Sequence, residues 1–196
     1  MSTIDFIEIY FTNNKNTCFS EHDFNKLFDY LRSKPLKNVS SFFKKTVYKE
    51  YHKNIVLEQV FDSNNDFHNN TIPTKESVNS YVPVSVSQES PLCEIIQNKD
   101  MVVNFYKKVG HSLCTFPSTN KIYDSVCEQR STFKVNNRIY LNFCKVEYMS
   151  EKGCTRNYVT IHYQYKQNCD VMNDIELIKQ LYTLQTDMVS ILSNMS

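Results

Sequence analysis

Residues 127–148 read CEQRSTFKVNNRIYLNFCKVEY, and the fold turns on how this stretch is read. Between Lys134 and Tyr148 polar and apolar residues alternate, the period of a strand whose two faces meet different surroundings. Strands are expected over 126–135 and 138–148, with Asn136-Asn137 as a tight hairpin turn between them. Further strand signals fall at 93–96, 101–106, 108–116 and 156–166. A long antiparallel run with few helices is incompatible with a doubly wound α/β domain. The chain therefore reads as α+β, a curved sheet or closed antiparallel barrel with flanking helices. In a barrel with a wet interior the polar set points inward. An ordinary sheet with one solvated face accounts for the same alternation.

Outward from this core, TIDFIEIYF (3–11) is a strand by its β-branched and aromatic content. A helix follows, opened by Ser20 and Asp23 as a capping box and carrying Phe24, Leu27, Phe28 and Leu31 on one face until Pro35 stops it. Residues 46–61 read as one or two strands. The segment 62–91, rich in Asn, Ser, Thr and Pro, is expected to be a loop or partly ordered insertion, with an edge strand over 81–86 where Pro83 is allowed. The chain closes on a helix over about 174–193, capped by Asn173, with Ile175, Ile178, Leu181, Tyr182, Met188, Ile191 and Leu192 facing inward.

The totals narrow the function. With 196 residues, 41 % hydrophobic and 13 % aromatic, the chain is expected to form one domain with a sizeable core. A balance of 22 basic against 21 acidic residues generates no global field toward nucleic acid or membrane, so any polyanion site is a local cluster. Two glycines cannot build a phosphate loop or a dinucleotide-binding fingerprint. No apolar run has the length of a membrane span, and Asp5 and Glu8 interrupt the first segment where a signal peptide would be apolar. An intracellular protein, nuclear or cytoplasmic and not secreted, is expected. The seven cysteines are odd in number and lack a Cys-x-x-Cys pair, so reduced thiols are expected. His111 and Cys114 lie close in sequence, but a strand sends neighbours to opposite faces and gives no catalytic pair.

The same stretch resembles the late strands of the tunnel-fold, metal-dependent RNA 5′-triphosphatases of fungal, microsporidian and large DNA-virus mRNA capping systems. Their pattern is roughly R-x-S-Y, a short turn, then R-I-D-x-T-K-V-E. Arg130 matches the first basic residue, Thr132-Phe133 stand for S-Y, and Tyr140 to Glu147 run in register with the second motif. Glu94 to Met101 is similar to the family's I-E-K-x-R-x-S-D-L strand, and Lys108 stands where an arginine opens the next. FIEIYF is similar to E-x-E-I-K-F, and YVTIHYQYK takes the place of E-V-E-L-E. The departures fall on acids: Phe6 replaces one glutamate beside Glu8, Tyr158, Thr160 and His162 replace those of the last strand, a tunnel glutamate falls near Cys114, and Asn142 replaces an aspartate.

The resemblance implies a triphosphate tunnel with Arg130, Lys108 and Lys145 on phosphate oxygens, Arg130 and Lys145 facing the same interior as Glu8. It implies Mg2+ or Mn2+, if the chain is active, at Glu8 and His162. Its partners would be the 5′-triphosphate end of RNA or another polyphosphate, and a guanylyltransferase or RNA polymerase. Removal of the γ-phosphate and binding without hydrolysis both follow from this reading. The competing class is a non-catalytic interaction protein, either a degenerate homologue or an unrelated sheet, that binds a protein partner. Closure separates them, since a polar tunnel suits the first and a packed apolar interior the second.

Overall fold

The computed structural model describes residues 4–13, 16–33, 41–52, 55–62, 69, 71–109, 124–151, 154–165 and 171–193. In chain order the elements are β1 (Phe6–Phe11), α1 (Glu21–Ser33), β2 (Ser41–His52), β3 (Ile55–Phe61), β4 (Lys75–Pro83), α2 (Cys93–Ile96), β5 (Met101–Val109), β6 (Asp124–Lys134), β7 (Ile139–Tyr148), β8 (Thr155–Gln164) and α3 (Val171–Ser193). The eight strands described pair antiparallel and close into a barrel in the order β1-β5-β4-β3-β2-β6-β7-β8, with β8 back on β1. Closure leaves every strand with two partners and no edge.

Alternation decides what lies on each side of the wall. Ile7 and Ile9 of β1, Leu141 and Phe143 of β7, and Val159 and Ile161 of β8 are buried on the outer face. They pack beneath Phe24, Leu27 and Leu31 of α1 and beneath Leu177, Leu181 and Leu184 of α3. Each such side chain contributes about 1.5–3 kcal/mol on burial. The hydrophobic core is thus outside the barrel, between wall and helices. The even-numbered residues of the same strands, Glu8, Asn142 and Thr160 among them, face the lumen.

Helix α1 starts as its sequence implies: the Asp23 amide donates to Ser20 Oγ at 3.1 Å, and Phe24 N–H to the Ser20 carbonyl at 3.0 Å. Helix α3 begins at Val171, so Asn173 lies within it. Ile175 is exposed, and Leu177 and Leu184 take the buried positions instead.

Three expectations are corrected. Residues 93–96 form a helical turn, not a strand. A four-residue apolar run fits either state, and here Cys93 N–H bonds to the Ser90 carbonyl while Leu92 and Ile95 are buried against the outer core. The segment read as a loop over 62–91 contains β4, which hydrogen-bonds to β3 and β5 and completes the barrel. Its inward residues Ser77 and Asn79 meet a polar lumen, so its composition looked like that of a loop. Pro83 is the last residue of β4, opposite Tyr106, and the ladder resumes with Val84 N–H donating to the Phe105 carbonyl at 2.9 Å. The third correction is the β6–β7 hairpin. Lys134 pairs with Tyr140 and Val135 N–H bonds to the Ile139 carbonyl, so the loop holds three residues, Asn136, Asn137 and Arg138. Asn136 Oδ1 accepts the Arg138 and Ile139 amides at 2.8 and 2.9 Å, which fixes the turn without glycine.

Strand 108–116 is described only as far as Val109, where β5 ends; His111 and Cys114 lie outside the described residues. The five described cysteines, Cys18, Cys93, Cys127, Cys144 and Cys154, are free thiols.

Candidate functional site

The barrel encloses a cavity of about 1200 Å³. Strand register brings its charges together. Arg130 of β6 lies opposite Lys45 of β2, and two residues along β6 the Glu128 carboxylate accepts from Arg130 Nε at 2.5 Å and Nη2 at 2.8 Å. Lys49, two turns of the β2 pleat beyond Lys45, approaches Glu128 Oε2 at 3.1 Å. Burial alone would raise the Glu128 carboxyl, but Arg130 and Lys49 hold it well below the usual carboxylate range. Among the described residues Lys45 Nζ has no acceptor within ion-pair distance. Burial, and then the Arg130 guanidinium, push its ammonium below the ordinary lysine value.

Among the described residues six cations line the cavity: Lys45, Lys49, Lys75, Lys108, Arg130 and Arg138. The acids lining it are Asp5, Glu8 and Glu58, with Glu128 against Arg130. Glu8, flanked in register by Asn104 and His162, has its carboxyl pushed up by burial, against the pull of Lys49 and Arg130. The interior is therefore cationic on balance although the chain as a whole is nearly neutral.

At one end the lumen runs onto an apolar cluster of Val126, Cys144 and Val146 with Tyr148 and Tyr158. Tyr10 packs edge-on to Tyr158 there at 5.8 Å, and the cavity lining stops at Tyr10, Lys49 and Asn142. Burial and then the Glu128 charge push the Cys144 thiol well up, so it stays protonated and donates its S–H to Glu128. Toward the other end stand aromatic rings. Phe6 stacks on Tyr106 and on His162, each at 4.9 Å, and meets Tyr81 edge-on at 5.0 Å. Burial and then Arg130 and Lys49 lower the His162 imidazole to about 4, so it is neutral at pH 7.

Of the residues singled out from the sequence, Arg130, Glu8 and His162 share the lumen, and Lys108 lies at its exposed rim beside Asp5, whose Oδ2 accepts its amide at 2.6 Å. Lys145 does not. It pairs across the hairpin with Gln129, on the outer face, where Nζ lies 3.4 Å from Glu21 of α1 and 5.7 Å over the Phe24 ring. Lys45, Lys49, Glu58 and Glu128 were missed. The signal for Lys45, Lys49 and Glu128 was present as Lys45-x-x-x-Lys49 and Glu128-x-Arg130-x-Thr132, each of a single parity; Glu58 carried none.

The donor set does not fit the hard divalent cation that the resemblance implies. Such a cation takes several oxygen ligands with negative charge. Beside Glu8 the available groups are Phe6, an amide, a neutral imidazole stacked on a phenyl ring and the Tyr10 phenol, which donates to Glu8 and which burial keeps protonated. Glu128 is already committed to Arg130 and Lys49. Among the described residues no three His, Cys, Asp or Glu side chains are grouped to hold a metal. The corresponding aspartate position, Asn142, accepts from Thr132 Oγ1 at 2.8 Å.

No protein-family model matches the chain, and no curated protein matches it. Solved structures do. The mimivirus capping enzyme triphosphatase superposes with a TM-score of 0.56 at 8 % identity, covering 95 % of this chain and 91 % of that one. The S. pombe RNA triphosphatase Pct1 gives 0.59 at 7 % identity, over 94 % and 84 %. Pct1 in complex with the Spt5 CTD gives 0.51 at 8 % identity, over 99 % and 83 %. At such identities the likeness concerns the fold: this chain has the closed tunnel architecture of these RNA triphosphatases.

Proposed function

We propose that the lumen receives the 5′-triphosphate end of RNA and binds it without metal-dependent hydrolysis. The observation that carries this reading is the Lys45–Arg130 pair, two cations opposite each other on β2 and β6 inside the lumen. Like charges held together out of bulk water repel, and a polyphosphate relieves that cost while supplying the acceptors a guanidinium fork fits. Glu128 holds Arg130 in place in its absence. The apolar cluster at one end supports entry of a terminus in preference to threading of an internal segment. The tunnel architecture shared with RNA triphosphatases supports the choice of RNA among polyphosphate carriers. The donor set around Glu8 favours binding over hydrolysis.

Fluorescence anisotropy with one short RNA bearing a 5′-triphosphate or a 5′-hydroxyl tests the reading. The triphosphate RNA binds at least tenfold more tightly, the preference weakens with salt, and Lys45→Ala removes it. Equal binding of the two RNAs overturns the reading. Release of phosphate with Mg2+ or Mn2+ that is lost in Glu8→Gln overturns its non-hydrolytic part.

A further inference from the structure

A polar, cationic lumen is an unfavourable place for a phenylalanine, yet Phe6 lines it two residues from Glu8, while the hydrophobic core lies across the wall. Phe6 is not isolated. Its ring is sandwiched between Tyr106 of β5 and His162 of β8, with interplanar angles of 21° and 23°, and Tyr81 of β4 closes the group edge-on at 83°. Four strands of the barrel thus contribute flat rings to one wall of the cavity. All four side chains line the cavity and are only partly buried.

This aromatic wall and the cationic floor occupy different levels. His162 lies opposite Tyr140 on β7, and Arg130 lies opposite Cys144, four residues farther along the same strand. That separation is about 13 Å of extended chain. Polyphosphate oxygens have no attraction for the faces of neutral rings, whereas nucleobases stack on them whatever their sequence.

We propose that the outer faces of the Tyr106 and His162 rings, held upright by Phe6 between them and by Tyr81 edge-on, form a stacking platform for a nucleobase whose 5′-triphosphate reaches Lys45 and Arg130. The inference rests on the polyphosphate reading above and narrows it: the ligand is a nucleotide carrying a triphosphate, not an inorganic polyphosphate. Because stacking is tolerant of base identity, purine and pyrimidine ends are both accepted, purines more tightly for their larger faces.

Isothermal titration of the protein with inorganic tripolyphosphate, ATP and CTP separates the possibilities. Both nucleotides bind more tightly than tripolyphosphate, ATP by about tenfold. Phe6→Leu reduces that margin to less than twofold and leaves tripolyphosphate affinity unchanged. Bound ATP also shows its base protons shifted upfield by the rings in proton NMR, a readout that needs no variant. Tripolyphosphate binding equal to that of ATP, with unshifted base protons, overturns the platform and leaves the polyphosphate reading standing. Binding of none of the three overturns both.

Discussion

Arg130 grips Glu128 by both carboxylate oxygens, two residues apart on the lumenal face of β6, and Lys49 of β2 closes the third side. The Glu128 side chain is 6 % exposed, so its charge depends chiefly on these two cations, with the Cys144 thiol as a further donor. Arg130→Ala leaves a buried carboxylate with Lys49 as its one cation and the Cys144 thiol as a weak donor, and is expected to cost about 3–5 kcal/mol in urea unfolding. Glu128→Gln costs less and frees the guanidinium, so tripolyphosphate binds more tightly to it than to the parent. Weaker binding to Glu128→Gln would show that Arg130 meets an anion only while Glu128 orients it.

Lys45 and Lys145 test which side of the wall matters. Lys45→Ala lowers affinity for triphosphate RNA by about tenfold, the worth of one charge-assisted contact. Lys145→Ala, which removes an exposed pair with Glu21 and a contact over Phe24, leaves binding unchanged and lowers stability by less than about 1 kcal/mol. Anisotropy and thermal melts on both variants check this, and equal losses of binding would contradict the outward placement.

Replacing residues 75–83 with a flexible linker abolishes cooperative unfolding. The excised strand hydrogen-bonds to β3 and β5, and its loss opens two strand edges in a barrel that otherwise has none. Circular dichroism melts and light scattering report the outcome. A parent-like melting curve would mean that the barrel tolerates a gap at β4.

His162 makes stability pH-dependent. Burial, then Arg130 and Lys49, with Lys45 adding and Glu58 opposing, lower its folded-state value from 6.5 to about 4. As pH falls through 6.5 the unfolded chain takes a proton that the folded chain refuses until about 4, so stability is full above that window and lost within it. Glu8, raised in the folded state, works in the opposite direction, since the cost of its buried charge diminishes as it protonates. Between pH 7 and pH 5 the parent therefore loses stability on the order of 1–2 kcal/mol that His162→Gln does not. Identical acid limbs for parent and variant would place the proton elsewhere.

What the sequence by itself determined is local. The two-residue period of β1, β7 and β8 is set by the pleat, and the Ser20–Asp23 cap and the Phe24, Leu27, Leu31 stripe by helical geometry. These signals sufficed for the strands that carry the outer core; Glu8, Arg130 and His162 entered as one interior through the family resemblance, since the alternation alone fitted a solvated sheet face as well. What only the tertiary structure decided is register. A two-residue turn at Asn136-Asn137 would have set Arg130 opposite Phe143, with Lys145 on its own face. The third loop residue, Arg138, shifts the pairing to Arg130–Cys144 and sends Lys145 outside. Lys45 reaches Arg130 only because β2, far away in sequence, pairs with β6. The polar strand β4 is a strand only because closure gives it two neighbours and a wet lumen to face. Alternation tells which residues oppose each other across one strand; which face becomes the inside is settled when the ends of the sheet meet.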